Sequence, residues 1–269
     1  MTSLSEPAPA KVNLALHVRR RLADGRHGIE TLFAFCTDGD RVSAQPDEML
    51  SLRVIGPMAG GLEDSGDNLV LRAAEALRES CGSGEGALLT LEKNLPVASG
   101  VGGGSADAAA TLRLLTRLWN IDPSHASAVA PALGADVPAC LLSMTARGEA
   151  AGDDLSLVKD DRITGAAILL VNPAVPLSTR DVFAGWDGVD RGPLGDWRDG
   201  RNDLEPSAAA LVPEIREVLR WLETRHGTSF ARMSGSGATC FALFDEDRAR
   251  DEAAAACPRP WWHLATNLR

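Results

Sequence analysis

The feature that most constrains this chain is a glycine-rich loop placed between a strand pattern and a helix pattern. Its sequence, LPVASGVGGGSADAAA, runs from Leu95 to Ala110 and follows the strand-like segment ALLTLEKNL. Glycine adopts backbone conformations that are closed to other residues, and it lets a ligand approach the main chain with no Cβ in the way. A helix that begins directly after such a loop presents unpaired N–H groups, which bind anions. The segment therefore predicts a phosphate-binding loop.

The loop matches neither of two common nucleotide-binding motifs. A Walker A loop requires Gly-Lys-Ser or Gly-Lys-Thr, whereas Gly104 is followed directly by Ser105. The dinucleotide fingerprint requires a third glycine three residues after Gly102, where Ser105 stands. We expect Ser105 to be the N-cap of the following helix. From the residues alone, a flexible surface loop that ends in a helix cap is an open alternative. The residues expected to hold phosphate are Gly100, Val101, Gly102, Gly103, Gly104 and Ser105.

Hydrophobic periodicity predicts a mixture of strands and helices. Apolar residues alternate with other residues from Ala10 to Val18, which indicates a strand with one buried face. Turn residues at Asp24-Gly25 and the segment GIETLFAF then predict a hairpin. A helix is expected to end at Gly82, and another is expected to run from the glycine loop to about Trp119.

The C-terminal part of the chain shows the same mixture. A helix is predicted over 124–133, which Pro131 should end or kink early. The helix PEIREVLRWLETRHG should take Gly227 as its C-cap. The segment FARMSGSGATCFALF predicts a strand, a glycine turn and a second strand. A charged connector near 152–162 divides the chain into predicted domains 1–155 and 156–269.

Composition narrows the class of partner. The formal charge of −10 provides no basic surface for nucleic acid, so any phosphate must be bound by local donors. Five cysteines with no CxxC pair argue against a disulfide framework or a clustered zinc site and indicate a reducing cytoplasm. No apolar run approaches the ~20 residues of a membrane span. We expect a cytoplasmic protein that acts on small molecules.

Two side chains are candidates for catalysis. Asp136, within LGADVPACL, could accept a proton or could simply cap a short helix ahead of Pro138. Lys11 could stabilise developing negative charge or could be a solvated residue on a strand edge. The alternation of the strand places Lys11 and Asn13 on one face.

Beyond these patterns, the glycine loop resembles that of the GHMP superfamily of galactokinases, homoserine kinases, mevalonate kinases and phosphomevalonate kinases. The blocks PAKVNLALHVRRRLADGRHGIETLF and LGADVPACL resemble those of the 4-diphosphocytidyl-2-C-methyl-D-erythritol kinase family within it. NDLEP and SGSGATCF follow in the expected order. The resemblance implies an α+β, two-domain GHMP kinase fold, with a ribosomal-protein-S5-like N-terminal domain and a ferredoxin-like C-terminal domain.

The resemblance also implies an activity. It implies ATP-dependent phosphorylation, with Mg²⁺, of the 2-hydroxyl of 4-diphosphocytidyl-2-C-methyl-D-erythritol, a cytidylylated polyol of the non-mevalonate isoprenoid pathway. Asp136 would deprotonate or align the hydroxyl, and Lys11 would stabilise the alkoxide. The remaining implied contacts are Asn13, His27, Phe33 and Phe183 for the substrate and Asn68 for the nucleotide.

For several residues a simpler interpretation is also open. His27 could be a solvated turn residue, Phe33 and Phe183 could belong to the core, and Asn68 could only cap a helix. Two alternative functions are open. The protein could be another GHMP kinase or decarboxylase, or it could be a catalytically weak nucleotide-binding sensor.

Overall fold

The structure, a computed structural model, describes residues 3–60, 62 and 68–269. In this part of the chain, strands and helices together form an α+β fold. The strands are β1 (Leu4–Arg21), β2 (His27–Asp47), β3 (Leu50–Ile55), β4 (Gly86–Glu92), β5 (Ala146–Glu149), β6 (Asp154–Leu157), β7 (Ala167–Asn172), β8 (Thr228–Met233), β9 (Cys240–Phe244) and β10 (Trp262–Asn267). The helices are α1 (Leu69–Cys81), α2 (Gly103–Leu118), α3 (Pro123–Leu133), α4 (Val137–Leu142), α5 (Thr179–Ala184), α6 (Glu205–Leu211), α7 (Glu214–Glu223) and α8 (Asp247–Ala255).

Two compact units interleave along the sequence. The first unit contains the chain through Ala10 together with Asp38–Val97 and Gly102–Ser143. The second unit contains Lys11–Thr37, Ala98–Val101 and Met144–Arg269. Strands β1 and β2 each contribute to both units, and the glycine loop is divided between them. The domain boundary after residue 155 stays a prediction.

The first unit packs helices around a small sheet. Strand β4 pairs in parallel with β3 and antiparallel with residues 41–47 of β2. Helix α2 packs against α1, α3 and α4. Leucines fill the space between these elements because α1 and α2 each present an apolar stripe at helical spacing. The buried members include Leu77, Leu89, Leu91, Leu112 and Leu115.

The second unit contains an antiparallel sheet in the order β10-β7-β9-β8. Its chain order is strand, helices, two strands, helix, strand, which is the ferredoxin-like arrangement. Helix α7 buries Ile215, Val218, Leu219 and Leu222 in the core of this unit. The predicted α+β fold class is confirmed.

Several local predictions are wrong for identifiable reasons. Strand β1 is buried on both faces over its middle residues, because its polar side chains find buried hydrogen-bond partners. Helix α2 is capped by Gly102, so Ser105 lies inside the first turn and is not the N-cap. Pro131 does not end α3, which runs to Leu133; the proline removes the helical hydrogen bond to the carbonyl of Ser127 only.

Helix α7 ends at Glu223 with Thr224 as its C-cap. Gly227 therefore forms part of the following turn rather than the predicted cap. Strand β2 continues to Asp47, well beyond the predicted strand segment GIETLFAF. The hairpin turn is confirmed, since the N–H of Leu22 donates to the carbonyl of Arg26 at 2.8 Å. None of the five cysteines forms a disulfide. No helix in the described ranges is long and apolar enough to cross a membrane.

Candidate active site

The first half of the glycine loop is fixed within the second unit by backbone contacts. The N–H of Lys11 donates to the carbonyl of Val101 at 2.9 Å. The Ser234 hydroxyl donates to the carbonyl of Gly100 at 3.0 Å. A Cβ at Gly100 would lie 2.7 Å from the carbonyl oxygens of Ser234 and Gly237, a distance that side chains do not tolerate. Glycine is therefore required at position 100 by packing as well as by its positive φ of 80°.

Lys11 is buried, which excludes the solvated strand-edge interpretation. Its side chain is 3% exposed, and its ammonium donates to Asn13 Oδ1 at 2.8 Å. The amide of Asn13 in turn donates to Thr31 Oγ1 at 2.8 Å, and that hydroxyl donates to the carbonyl of Ala15 at 2.7 Å. This chain of donors fixes the orientation of the Asn13 amide, so the lysine ammonium is held at one position in a poorly hydrated environment.

Phe33 lies beneath the lysine. The ammonium of Lys11 is 5.5 Å from the centroid of the Phe33 ring, within the range of a cation–π contact. Phe33 is fully buried, so it packs in the core and supports Lys11. Its implied contact with the substrate stays a prediction.

The second half of the loop begins α2 in the first unit. Gly102, at a φ of 66°, is the N-cap and has no side chain to satisfy the first N–H groups of the helix. Gly104 is exposed and Ser105 is partly exposed. Backbone donors and a serine hydroxyl at a helix start are groups suited to an anion, and the binding of phosphate here stays a prediction.

Asn68 caps the neighbouring helix. Its Oδ1 accepts a hydrogen bond from the N–H of Val70 at 2.9 Å at the start of α1. A Cβ at Gly104 would lie 3.5 Å from the side chain of Leu69, so the starts of α1 and α2 are close together. The capping role of Asn68 is confirmed, and its contact with a nucleotide stays a prediction.

Asp136 occupies the N-cap position of α4, but its side chain makes no capping hydrogen bond. The carboxylate is partly exposed, and α4 packs against α2 within the first unit. The alternative that Asp136 is only a capping residue therefore receives no support from the geometry. A carboxylate is a group that can accept a proton or a hydrogen bond.

His27 lies among aromatic side chains of the second unit. Its ring centroid is 4.9 Å from that of Phe183 and 5.7 Å from that of Trp186. Burial, assisted by the positive charge of Arg21, lowers the pKa of His27, so the ring is neutral near pH 7. Two buried nitrogens, His27 Nε2 and Trp186 Nε1, have no hydrogen-bond partner among the described residues. The structure brings the predicted pair of His27 and Phe183 together.

Sequence reasoning missed Trp186 and Ser234 as members of these clusters. Trp186 follows Phe183 by three residues, a spacing that places both side chains on one side of a helical turn. Ser234 lies in the SGSGATCF block, whose local pattern indicates only a turn between strands. Asn202 of NDLEP holds that turn, since its amide donates to the carbonyls of Met233 and Gly235 at 2.8 Å each.

Comparison with family models shows which protein family these elements belong to. The model for the N-terminal domain of GHMP kinases matches residues 68–144, and the model for the C-terminal domain of GHMP kinases matches residues 190–261. A protein named 4-diphosphocytidyl-2-C-methyl-D-erythritol kinase from Rhizorhabdus wittichii is 52% identical over 98% of this chain and 94% of the relative. The chain belongs to this family of GHMP kinases.

Other GHMP kinases extend the comparison. A relative of the same name from Novosphingobium aromaticivorans is 50% identical over 99% of this chain and 93% of its own length. A crystal structure titled 4-(cytidine 5'-diphospho)-2C-methyl-D-erythritol kinase has a TM-score of 0.84 at 31% identity and covers 98% of this chain and 99% of that one. A homoserine kinase from Cytophaga hutchinsonii, at 17% identity, shares the fold with a TM-score of 0.70 over 100% of this chain and 95% of its own.

The N-terminal family model of the GHMP kinases includes one part of the candidate site. Asn68, the loop from Gly100 to Ser105 and Asp136 lie within residues 68–144. Lys11 and His27 precede that range, so their assignment depends on the longer alignments with named relatives. No group of three histidine, cysteine, aspartate or glutamate side chains that could hold a metal ion occurs in the described ranges.

Proposed function

We propose that this protein phosphorylates the 2-hydroxyl of 4-diphosphocytidyl-2-C-methyl-D-erythritol with ATP, a step of the non-mevalonate isoprenoid pathway. The observation that carries the proposal is the 52% identity, over 98% of the chain, with a protein of that name. The glycine loop, Lys11 and Asp136 supply residue types that such a transfer requires. The domains 1–155 and 156–269 remain part of this proposal.

The loop would hold the nucleotide phosphates. Phosphoryl transfer depends mainly on positioning and on stabilising the charge that spreads over the transferred group. The N–H groups from Gly100 to Ser105, together with the Ser105 hydroxyl, would donate to phosphate oxygens. Asn68, at the adjacent start of α1, would contact the adenine or ribose.

The transfer itself would use Asp136 and Lys11. The substrate hydroxyl oxygen forms a bond to the γ-phosphorus, the bond from that phosphorus to the β-phosphate oxygen breaks, and ADP leaves. Asp136 would accept or orient the hydroxyl proton. Lys11, whose ammonium is buried and held by Asn13, would stabilise negative charge on the attacking oxygen.

The cytidylyl group would be recognised by the aromatic cluster. His27 is neutral because burial lowers its pKa, so its ring carries one donor nitrogen and one acceptor nitrogen, one of which would bond to the pyrimidine edge. Phe183 would stack on the base. Asn13 and Phe33 would contribute near the hydroxyl that accepts the phosphoryl group, through their contacts with Lys11.

Magnesium would enter with the nucleotide as part of the substrate. Mg²⁺ is usually bound by one or two carboxylates together with substrate phosphates rather than by a cage of protein ligands.

A substrate panel tests the proposal. Purified protein with Mg-ATP is offered the cytidylylated methylerythritol, free methylerythritol, homoserine and mevalonate, while ADP and phosphorylated product are measured. We expect turnover of the cytidylylated compound and no product from the others. The Asp136→Asn variant, prepared in the same way, controls for a contaminating kinase because it should form little product.

Two other results would contradict the proposal. Comparable turnover of an acceptor without a cytidylyl group would indicate another GHMP kinase activity. ATP binding with no product from any acceptor would indicate a nucleotide-binding sensor.

A further inference from the structure

A buried ionic cluster lies directly beneath the start of α2. Lys93, which follows β4, donates to Asp40 of β2 and to Asp107 of α2, the latter at 2.8 Å. All three residues are at most 3% exposed. A lysine and two aspartates buried together carry a net charge of −1 when both carboxylates are ionised. The cluster lies wholly within the first unit.

The cluster contacts the first residue of the phosphate-binding helix. A Cβ at Gly103 would lie 3.0 Å from Lys93 Nζ and 3.6 Å from Asp40 Oδ2. Asp107 lies one turn further along the same helix, about 6 Å along its axis from Gly103. The ammonium therefore connects the first two turns of α2 to the end of β4 and to β2.

The two aspartates are not equivalent. Both oxygens of Asp40 are used, because Oδ1 accepts the N–H groups of Asn94 at 2.5 Å and Leu95 at 2.8 Å while Oδ2 accepts from Lys93. Asp107 uses only Oδ2; its Oδ1 is buried and has no partner among the described residues. Asp40 therefore needs its full charge and both acceptors, whereas Asp107 has a place for a proton.

We propose that the Lys93–Asp40–Asp107 cluster positions the first turn of α2 for phosphate and that the charge of Asp107 sets how tightly this turn holds a nucleotide. The inference rests on the proposed nucleotide-binding role of the loop. An ionised Asp107 places negative charge within two turns of the donors that would hold phosphate. A protonated Asp107 leaves the cluster neutral, so the helix start attracts phosphate more strongly.

The environment of Asp107 supports a change of charge near neutral pH. Burial, countered by Lys93 and reinforced by the charge of Asp40, raises the pKa of Asp107 from its ordinary 3.8 to about 7. Lys93 stays protonated, because the two carboxylates outweigh burial and raise its pKa.

The elements packed on α2 add no further charge near Asp107. The buried face of α1 consists of Val70, Ala73, Ala74 and Leu77, and the buried residues of α4 and α3 are apolar as well. Lys93 and Asp40 are thus the charged groups that face Asp107 from the described neighbouring elements.

The test measures binding of a non-hydrolysable ATP analogue with Mg²⁺ by calorimetry between pH 6 and pH 8.5. In the wild-type protein we expect the dissociation constant to rise roughly threefold to tenfold across this range, beyond the rise caused by the nucleotide's own titration. In Asp107→Asn the extra rise should disappear, and the affinity at pH 8.5 should exceed that of the wild type. The neutral amide can accept from Lys93 and place its NH₂ group where Oδ1 now lacks a partner.

Matched variants separate positioning from general damage. Asp122→Asn changes an exposed N-cap of α3 that asparagine fills equally well, so its profile should match the wild type. Asp40→Asn would turn an NH₂ group toward Lys93 or toward two backbone donors, so that a donor would face a donor. Asp40→Asn should therefore lower the melting temperature, whereas Asp107→Asn should not.

Superimposable pH profiles for the wild type and Asp107→Asn would overturn the inference, as would weaker binding by Asp107→Asn at every pH. Binding of the ATP analogue does not require the cytidylylated substrate. A titrating profile without turnover of the cytidylylated substrate would therefore leave this inference standing while contradicting the proposed activity.

Discussion

At the scale of single residues, Asp136 carries the strongest prediction about chemistry. Asp136→Asn keeps the size of the side chain but removes its ability to accept a proton. We expect kcat to fall by ~10²–10⁴-fold, the usual contribution of a general base, with ATP-analogue affinity changed little. Steady-state kinetics and calorimetry check the two parts separately.

The control for Asp136→Asn is Asp122→Asn in the same unit, which should keep wild-type kcat because Asp122 is an exposed capping residue. A kcat for Asp136→Asn within twofold of the wild type would remove Asp136 from the proposed mechanism.

Lys11 gives a second residue-scale prediction. Lys11→Met removes the ammonium from a buried position and leaves Asn13 Oδ1 without the donor it now has at 2.8 Å. We expect kcat to fall by at least ~10²-fold, as when one charge-stabilising donor is lost from an active site. The protein should also lose ~1–3 kcal/mol of unfolding free energy, because a buried acceptor is left unsatisfied.

Lys11→Arg separates these two effects. The guanidinium keeps a positive charge and a donor, but its planar fork differs in shape from an ammonium. It should recover part of the stability and little of the activity. Equal recovery of both would indicate that Lys11 acts through stability alone.

At the scale of elements, the glycine loop depends on the turn formed by Ser234–Gly237. Gly100→Ala would force a methyl group to 2.7 Å from two carbonyl oxygens at a φ of 80°. Gly188→Ala provides a matched control, since Gly188 has a φ of 79° and nothing lies within 4 Å of its Cβ position. The control should cost ~1–2 kcal/mol from backbone strain alone. Gly100→Ala should cost ~2–5 kcal/mol because overpacking is added.

Urea unfolding of both glycine variants measures the difference. Nucleotide affinity should fall in Gly100→Ala and not in Gly188→Ala, because only the former displaces the loop. Equal losses of stability in the two variants would show that the turn does not constrain position 100.

The same elements show how far sequence alone can predict this fold. Helices α1 and α2 were predicted because their apolar stripes and end signals are local in sequence. The cap of α2 was predicted wrongly because serine is a common cap, whereas here Gly102 adopts the left-handed conformation at that position. Burial of β1 on both faces could not be predicted either. Asn13 bonds to Thr31 and His17 bonds to Gly192, and both partners are distant in sequence.

Prediction of the candidate site shows the same limit. The glycine loop, Lys11 and Asp136 could be found because each lies in a contiguous block. Ser234 and Trp186 could not, since their contacts with Gly100 and His27 appear only once the chain is folded. The pairing of Asp107 with Lys93 was equally hidden, because helix position alone does not show which buried charge a carboxylate meets.

At the scale of the whole molecule, His17 links folding to pH. It is 2% exposed, with Nδ1 3.1 Å from the carbonyl of Gly192 and Nε2 accepting the N–H of Arg201 at 3.2 Å. Because Nε2 must accept, the ring is neutral and Nδ1 carries the proton. Burial lowers the pKa of His17 below 6.5, and the positive charge of Arg201 lowers it further. The hydrogen bond to the carbonyl of Gly192 and the charges of Asp203 and Glu30 oppose this shift in part.

The sign of the effect follows from proton binding. Below pH 6.5 the unfolded chain binds a proton at His17, whereas the folded protein binds it only at lower pH. The stability contributed by neutral His17 is therefore present above pH 6.5 and is lost as the pH falls through the lower pKa of the folded state. Thermal unfolding should show wild-type stability falling between pH 6.5 and 5 more steeply than that of His17→Gln, which cannot titrate. His226→Gln, at an exposed site, should follow the wild type. Asp107 contributes equally to all three proteins, so parallel curves for the wild type and His17→Gln would show that His17 does not couple folding to pH.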